Sequence, residues 1–517
     1  SLNTTSQRLN LITAELQEIN GQDAGQYTEC NSGTDGSLGI SPSVISPEPF
    51  FVAVFGQRSA WPSPLGCNGV TVDGRLPGTY IDLNPLSQID GLGHNYFRSE
   101  NPYLLNSYAG FGEVYYQLTP DLKLTGGLRW TDDQKTYRNI PSWVFEAGGG
   151  YPVEGIVQQQ WKDWTGRFVA NWSPKLDFTD QTLIYASYSH GYKGGGANPP
   201  GPIADFSSAQ SSVTHPPTFA PEFINAYELG TKNSLLDGGL TLNGDVFYYD
   251  YKGYQISQIV DRTSINLNFD AKIKGAELEA TWEPLPGLRF NFAGGYEDTS
   301  VDKGQSAIDL MDRTAGNTDW MIVRPFVAET SNCILPAAVV RQILETDVAP
   351  SPLGGGLNTA CDAAYTPGGV AALFAGNNSE DKAIFAAAGF DPSTAPNNGE
   401  GFAKDLSGNK LPNAPPFTMS LGAQYTMPLS EDWAGTLRSD FYWQGNSFAR
   451  IFNDKPYDQL NGYTNLNLTL IFTNQDGWQV MGYLKNVLNT TAITGAFLFS
   501  DDTALSTNVL VTDPRLF

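Results

Sequence analysis

Apolar and polar side chains alternate in this chain along segments that are long for a strand and joined by tight turns. The segment from Ser107 to Leu118 meets a turn at Thr119-Pro120-Asp121, and a second segment returns from Leu122 to Tyr137. The return segment alternates between two sets of side chains, namely Leu122, Leu124, Leu128 and Trp130 against Lys123, Thr125, Arg129 and Thr131. Because a strand points successive side chains to opposite faces, each strand has one apolar and one polar face.

The same pattern recurs to the end of the chain and predicts about 13 strands, joined in turn by short turns and long loops. The expected strands are Arg8 to Ile19, Ser107 to Leu118, Leu122 to Tyr137, Trp161 to Trp172, Thr182 to Tyr192, Ile224 to Asn233, Leu240 to Tyr254, Ile265 to Trp282, Leu288 to Thr299, Phe417 to Met427, Trp433 to Asn446, Tyr463 to Thr473 and Trp478 to Asn486. This rhythm is typical of outer-membrane β-barrels. We therefore predict an all-β fold, a transmembrane antiparallel β-barrel with long extracellular loops.

The segment from Trp433 to Gln444 shows which face meets lipid. Leu437 and Trp443 share one face, while Arg438 and Asp440 share the other. A charged side chain in hydrocarbon would cost a few kcal/mol, so the charged face is expected to line the lumen. Tryptophans near predicted strand ends fit interfacial girdles, and these are Trp130, Trp172, Trp282, Trp433 and Trp478.

Two irregular stretches interrupt the rhythm, residues 20–105 and 300–416, and each is expected to form a long extracellular loop. Within the second, the alanine-rich segments Ala337 to Thr346 and Gly369 to Gly389 have helix-compatible patterns. Each stretch contains two cysteines, Cys30 with Cys67 and Cys333 with Cys361. A local disulfide in each loop is the natural pairing in an oxidising compartment.

Composition excludes several classes of protein. The sequence has 54 Gly, 33 Pro and a net charge of −24. It contains no apolar run of the roughly 18 residues that a membrane-spanning helix needs. So acidic a chain is not expected to bind nucleic acid, because phosphate contacts require a basic surface. Neither a metal nor a cofactor is expected, because the three histidines, His94, His190 and His215, show no ligand spacing.

Several motifs resemble those of TonB-dependent outer-membrane receptors and occur in the family's order. They are Tyr185-Ala186-Ser187-Tyr188-Ser189-His190-Gly191-Tyr192-Lys193-Gly194-Gly195-Gly196, Tyr227-Glu228-Leu229-Gly230-Thr231-Lys232, Ile273-Lys274-Gly275-Ala276-Glu277-Leu278-Glu279, Leu484-Lys485-Asn486-Val487-Leu488-Asn489 and Asp513-Pro514-Arg515. The resemblance covers the chain from about Ser107 onward.

The resemblance implies a 22-stranded barrel that encloses an amino-terminal plug, of which this chain is the carboxy-terminal part. Neither plug nor TonB box is visible upstream, and the closing strand is expected beyond Phe517, so the chain is interpreted as a receptor fragment. The implied function is active uptake of a scarce nutrient, a ferric siderophore, an oligosaccharide or a similar cargo, across the outer membrane of a Gram-negative bacterium. The implied partners are outer-membrane lipid, the cargo and the TonB complex, which acts through the plug, and the receptor is expected to be a monomer.

Two other functions remain open at this point. A passive porin-like channel shares the strand alternation, although the ordered motifs and very long loops favour the transporter. A secreted β-rich enzyme or adhesin is disfavoured because the sequence has no GxSxG or HExxH motif. The nearby acids Glu277 and Glu279 lie on one strand face and are better explained by lumen hydration or a cross-strand ion pair than by glycosidase chemistry.

Loop aromatics are the candidates for cargo binding, because they can stack on a sugar or an aromatic chelator. Trp143, Trp161, Trp164 and Tyr192 lie near predicted extracellular strand ends, and Lys193 with Asn198 follows the last of them. Packing within the loops is an equally good explanation for all six residues. No catalytic residue is expected.

Overall fold

The computed structural model of the chain describes residues 102–139, 155–198, 218–260, 263–323, 332–346, 389–391, 394–498 and 507–517. The predicted strand from Arg8 to Ile19 and the predicted loop at 20–105 lie outside these residues, apart from the last few positions of that loop. Among the described residues, no helix is long and apolar enough to cross a membrane.

One antiparallel sheet of 12 strands dominates the structure, and its strands lie side by side in the order in which they occur along the chain. The strands are β1 (Tyr103–Thr119), β2 (Leu122–Asn139), β3 (Gly155–Trp172), β4 (Gln181–Lys193), β7 (Glu222–Leu235), β8 (Leu240–Val260), β9 (Thr263–Leu285), β10 (Leu288–Val301), β15 (Phe417–Pro428), β16 (Trp433–Gln444), β19 (Tyr463–Asn474) and β20 (Gln479–Leu484). This sequential order is that of a barrel wall, and it confirms all 12 strands predicted from Ser107 onward.

The outer face of this sheet carries the apolar side chains, as the alternation predicts. Leu437 is 54% exposed and Val246 is 52% exposed, whereas Arg438 and Asp440 border a cavity on the opposite face. So much exposed apolar surface is far beyond what a water-soluble protein tolerates. The outer face is therefore the lipid-facing wall of a membrane barrel.

Exposed tryptophans mark the short-turn end of the wall. Trp172 ends β3, Trp433 begins β16, and Trp282 pairs with Leu240 at the start of β8. Trp478 precedes β20 and is exposed as well. The predicted girdle is thus present at this end, while Trp130 lies farther along β2, opposite Trp164.

The hairpin of β8 and β9 is longer than its hydrophobic pattern indicates. The two strands are 21 and 23 residues long, and a loop expected after Tyr254 is replaced by further strand pairing up to Val260 and Thr263. The pairing shifts register between Tyr251 and Tyr254, where Gly253 adopts a φ of +66°. A Cβ at Gly253 would lie 2.8 Å from the carbonyl oxygen of Pro221, so this bulge requires glycine.

The loops between β10 and β15 and between β16 and β19 fold together into a unit that we call the cap. Its elements are β11 (Ser306–Ile308), β12 (Trp320–Val323), β13 (Cys333–Pro336), α1 (Ala337–Thr346), a 3₁₀ turn (Pro396–Gly399), β14 (Ala403–Asp405), β17 (Ser447–Phe448) and β18 (Gln459–Leu460). Helix α1 has the predicted bounds, and most of the segment from Gly369 to Gly389 lies outside the described residues. The two-residue strands β5 (Gly196–Ala197) and β6 (Thr218–Phe219) form a separate pair after β4.

An apolar cluster joins the cap to the lumen side of the wall. Phe269 and Ala271 of β9 are buried against Leu406, Leu411 and Ile451 of the cap. Only every second residue of β9 takes part, which keeps the cap on one face of the strand. The cap thus lies over the extracellular end of the lumen.

The chain after β20 contains a short hairpin that the hydrophobic pattern did not predict, β21 (Ile493–Leu498) with β22 (Thr507–Val511). Asn486 of the L-K-N-V-L-N motif is buried, and its side-chain amide donates to the carbonyls of Thr490 and Asp513 at 2.9 and 2.8 Å. Leu516 then pairs with Lys485 beside β20. The motif therefore holds the base of this hairpin.

Candidate functional site: the lumen face and its extracellular cap

The lumen face of strands β8 to β16 is polar and forms a concave surface. A cavity of about 270 Å³ is bordered by Asn243, Glu279, Asn291, Arg438 and Asp440, among others. The guanidinium of Arg438 donates to both oxygens of Asp440 at 2.6 and 2.8 Å. These side chains alternate with apolar ones on the outer face, so the sequence places them here by strand parity alone.

Carboxylates form a band across four neighbouring strands of the lumen face. Glu228 of β7 lies beside Asp245 of β8, which pairs with Glu277 of β9, and Glu297 of β10 follows. Tyr185 of β4 donates a hydrogen bond to Glu228. Acids on directly neighbouring strands destabilise a sheet, so this band does not stabilise the pairing of the strands. Glu277 and Glu279 do share a face, as the sequence predicts, but the residue opposite Glu277 is another acid.

A second cavity, of about 340 Å³, lies between this band and the cap. It is lined by Glu277 and Glu297 from the wall and by Leu411 and Ala414 from the cap. The backbone amide of Leu411 donates to the hydroxyl of Thr299 at 2.9 Å, which fixes the cap segment against β10. The wall therefore contributes carboxylates to this cavity, and the cap contributes apolar side chains.

A buried ion network holds the two loops of the cap together. Asp309, at 0% exposure, lies between Arg450, whose Nη1 is 2.6 Å away, and Lys404, whose Nζ is 3.2 Å away. Arg450 also donates through Nε to Asp458 at 2.6 Å, and Lys404 lies 2.9 Å from Asp454. Asp309 and Lys404 come from the β10–β15 loop, and the other three residues come from the β16–β19 loop.

The network also sets the pKa values of its carboxyls. Burial disfavours the charge on Asp309, but hydrogen bonds from Arg450 and Asp454 outweigh it and hold the pKa of Asp309 at about 2. Burial raises the pKa of Asp454, and the hydrogen bond with the ionised Asp309 adds to that rise. Burial likewise raises the pKa of Asp458 against the pull of Arg450. Asp309 is thus the permanent anion of the network.

The extracellular ends of β2, β3 and β4 carry a second group of polar and aromatic side chains, which we call the rim cluster: Asp133, Lys135, Trp161 and Tyr192. The Nζ of Lys135 lies 5.1 Å from the centre of the Trp161 ring and donates to the carbonyl of Gly195 at 2.6 Å. The hydroxyl of Tyr192 donates to Asp133 at 3.1 Å. A cation over an indole ring beside a carboxylate is a surface that can stack and hydrogen-bond a polar ligand.

The structure brings together two of the six predicted site residues, Trp161 and Tyr192. Trp164 pairs with Trp130 on the face that also carries Leu128, which is the lipid-facing side of β2 and β3. Lys193 forms an ion pair of 3.5 Å with Glu222. Asn198 is buried and exchanges hydrogen bonds of 2.8 and 3.0 Å with the backbone of Asn266. Trp143 lies outside the described residues.

Only one of the four cysteines in the two predicted disulfides lies within the described residues. Cys333 is buried and disulfide-bonded, but Cys361, Cys30 and Cys67 lie outside the described residues, so the two pairings stay predictions. Within the described part of the chain, no group of three or more metal-binding side chains comes together.

Sequence reasoning missed Lys135 and the ion network of the cap. Lys135 stands two residues after Asp133 in β2, and strand parity could have placed both on the face of Trp161, which lies directly opposite Asp133. Asp309 and Arg450 are 141 residues apart. Neither carries a local motif, so only the fold brings them together.

Comparison with known proteins identifies the family to which this barrel wall belongs. A family model described as "TonB dependent receptor-like, beta-barrel" matches residues 20–326 and 366–487. Among solved structures, the chain is similar to the ferric yersiniabactin uptake receptor FyuA from Yersinia pestis, with 14% identity and a TM-score of 0.49 over 80% of this chain and 45% of that one. It is also similar to the siderophore receptor PiuA from Acinetobacter baumannii, with 13% identity and a TM-score of 0.47 over 80% of this chain and 42% of that one. The chain thus spans less than half the length of either receptor.

Proposed function

Because this chain belongs to the TonB-dependent receptor family, as its β-barrel part, we propose that it forms the wall and extracellular entrance of an active uptake receptor. The family consists of transport receptors of the Gram-negative outer membrane, and the chain is located there. The proposed role is to bind a scarce nutrient outside the cell and to pass it through the lumen when the TonB complex supplies energy.

The observation that carries this proposal is the cap over the lumen. Its apolar cluster packs on Phe269 and Ala271 of the wall, and its ion network is centred on the fully buried Asp309. Breaking a buried ion pair by removing one partner costs about 3–5 kcal/mol. An entrance covered by so well-anchored a structure favours gated transport over a permanently open pore.

We propose the rim cluster as the first contact for cargo. Trp161 offers an aromatic face, and Lys135, Tyr192 and Asp133 offer donors and acceptors around it. The band formed by Glu228, Asp245, Glu277 and Glu297 repels anions. The proposed cargo is therefore a neutral or cationic chelate or a neutral oligosaccharide.

Growth tests this proposal directly. A strain lacking the protein is complemented with the wild-type receptor or with Trp161→Ala, and growth is scored on panels of ferric chelates and of oligosaccharides as limiting nutrient. We expect growth on one nutrient to require both the receptor and a functional TonB complex. We expect Trp161→Ala to raise the nutrient concentration for half-maximal growth roughly two- to tenfold, since stacking contributes about 0.5–1.5 kcal/mol.

The passive channel predicts a different result. A porin-like protein would restore growth in a strain without TonB, and the uptake rate would rise linearly with nutrient concentration. Trp164→Ala is the matched control for the rim, because Trp164 lies on the lipid-facing side of the same strand. Equal effects of the two tryptophan variants would contradict the assignment of the rim cluster.

A further inference from the structure

Four aromatic side chains follow one another along the lumen face of β8, between the band of carboxylates and the cap. We call them the aromatic column: Phe247, Tyr249, Tyr251 and Tyr254. Alternate residues of a strand share a face, so the first three members lie on the lumen side with Asp245. The bulge at Gly253 adds one residue to β8 and brings Tyr254 onto the same side. The column therefore gives the lumen a continuous aromatic strip.

The rings of the column contact one another and extend to the cavity beneath the cap. The rings of Phe247 and Tyr249 stack with their centres 4.8 Å apart. The rings of Tyr251 and Tyr254 meet edge-on, with their centres 5.3 Å apart. The Phe247 ring lies over Gly275 of β9, where a Cβ would lie 2.5 Å from the Cζ of that ring. Phe247 and Tyr254 both line the cavity of about 340 Å³, so the column supplies it with two aromatic rings.

Two carboxylates of the band, those of Glu277 and Glu297, line the same cavity. Glu277 pairs with Gly295 of β10, two residues before Glu297, so the two acids are diagonal neighbours on the lumen face, at roughly 7–8 Å. Within the described part of the chain, neither carboxylate forms an ion pair or a hydrogen bond with another side chain. The described residues that line the cavity include no lysine or arginine. The negative charge of this cavity is therefore uncompensated.

These features favour an occupant that is both positively charged and partly apolar. A cation is attracted by the carboxylates and also by the face of an aromatic ring. An anion would be repelled, and a neutral sugar would leave the two negative charges uncompensated. A metal ion would gain nothing from the apolar side chains of Leu411 and Ala414, because it binds oxygen ligands and keeps part of its water shell. An organic cation has carbon atoms that pack against these side chains.

We propose that this cavity binds an organic cation. A protonated amine lies between Glu277 and Glu297, to which its N–H groups donate, and its carbon skeleton packs against Phe247 and Tyr254. The volume of about 340 Å³ is that of a small-molecule site. The inference rests on the proposed function in one respect, because it takes this amine to be a group of the cargo. It narrows the proposed cargo to a molecule that carries an amine.

Binding of a simple amine by the receptor in phosphatidylcholine nanodiscs tests the proposal. The probe is phenethylammonium, followed by saturation-transfer NMR titration at neutral pH. Neutral phenethyl alcohol and anionic phenylacetate are matched ligands of nearly the same size. Because hydrogen bonds to charged groups contribute a factor of roughly 10 to 150 in affinity, we expect the ammonium to bind about tenfold or more tightly than the alcohol. We expect phenylacetate to bind more weakly than either.

Two pairs of variants locate the site. Glu297→Gln removes one carboxylate and should weaken binding of phenethylammonium about tenfold or more. Glu279→Gln is its matched control, because Glu279 lies on the same face of β9 but borders the other cavity, and it should leave the affinity nearly unchanged. Tyr254→Leu removes a ring and should weaken binding roughly 2- to 30-fold, which is the range of cation–π contributions. Tyr254→Phe keeps the ring and should retain binding.

The comparison of the three ligands requires no variant, so it stands even where a substitution disturbs folding. The proposal is overturned if phenethyl alcohol binds as tightly as phenethylammonium, or if Glu279→Gln weakens binding as much as Glu297→Gln does. Displacement of the amine by an equal concentration of calcium ions would also overturn it, because the site would then be a metal site. The binding assay does not involve TonB. TonB-dependent growth without amine binding would therefore overturn this inference alone, whereas amine binding with TonB-independent growth would overturn only the proposed active uptake.

Discussion

Replacement of Arg450 by methionine tests whether the ion network holds the cap in place. Methionine keeps much of the length and apolar bulk of the side chain, so the main loss is the guanidinium. That group lies 2.6 Å from both Asp309 and Asp458, which are 0% and 2% exposed. Its removal leaves two buried carboxyls without their arginine, and losing one partner of a buried pair costs about 3–5 kcal/mol.

Hydrogen exchange of the cap measures this loss. If the cap opens locally while the wall stays folded, 3–5 kcal/mol correspond to an acceleration of hydrogen exchange of roughly 150- to 4,000-fold. We expect that acceleration for amides of β14 and β18 and no change for amides of β8 and β9 near their short turns. Arg438→Met is the matched control, because its pair with Asp440 has the same 2.6 Å distance but both side chains are more than one-third exposed. Exposed pairs contribute about 1 kcal/mol or less, so this control should change exchange at most about fivefold.

The double variant Arg450→Met, Asp309→Asn tests whether the unpaired charge of Asp309 causes the faster exchange of the cap amides. If the unpaired charge is the source of the loss, neutralising Asp309 should recover part of it, because an amide is far less costly to bury than a carboxylate. Exchange in Arg450→Met that matches Arg438→Met would refute the network as the anchor of the cap. Exchange in the double variant faster than in Arg450→Met alone would refute the charge argument.

Three further predictions concern the wall, the acidity of the cap and the bulge. Leu437→Lys puts a charge on the lipid-facing side and should cost about 2–4 kcal/mol in urea unfolding from vesicles if it lies near the bilayer midplane, whereas Thr436→Lys on the lumen face should cost less than half as much. The folded-state pKa of Asp309 is depressed to about 2. Its contribution of about 2 kcal/mol to cap stability is therefore present above pH 4 and is lost as the pH falls towards 2. The pKa of Asp454 is raised instead, so the contribution of Asp454 is present at low pH and is lost as the pH rises through that pKa. Cap amides, compared after correction for intrinsic exchange, should therefore be most protected in mild acid, and a monotonic profile would contradict these pKa directions. Gly253→Val should destabilise the β8–β9 hairpin by about 2 kcal/mol or more, because valine is strained at a φ of +66° and its Cβ meets a carbonyl oxygen; proteolysis after Val260 no faster than in the wild type would argue against a required glycine.

The sequence predicted the wall because its signal is local. Leu437 and Arg438 are adjacent in the chain, and strand geometry alone sends them to lipid and to lumen. The short turns are marked by Pro, Gly, Asn and Asp, so the ends of the strands at that side were also predictable. The end of β8 after Tyr254 was not, because the bulge at Gly253 interrupts the alternation just before it.

The candidate site was less predictable for a physical reason. Trp161 and Trp164 look equivalent in the sequence, but they are three residues apart and therefore lie on opposite faces of β3. In the sequence, Asn198 resembles a loop residue that could donate to a ligand. In the structure, both the nitrogen and the oxygen of its side-chain amide are hydrogen-bonded to the backbone of Asn266. These distinctions depend on cross-strand partners, and a single strand does not reveal which partner it will have.

The wall also explains how residues as distant as Asp309 and Arg450 can meet. Free closure of a 141-residue loop would be costly, but β10 ends at Val301, only eight residues before Asp309, and β16 ends at Gln444, six residues before Arg450. With β15 alone between these strands, the ring to be closed is about 14 residues, which lowers the closure cost by on the order of 2 kcal/mol. The cap should therefore fold only after the strands beneath it have paired. A pulse-labelling experiment during refolding should show β10 and β16 protected before β14 and β18, and simultaneous or reversed protection would contradict this order.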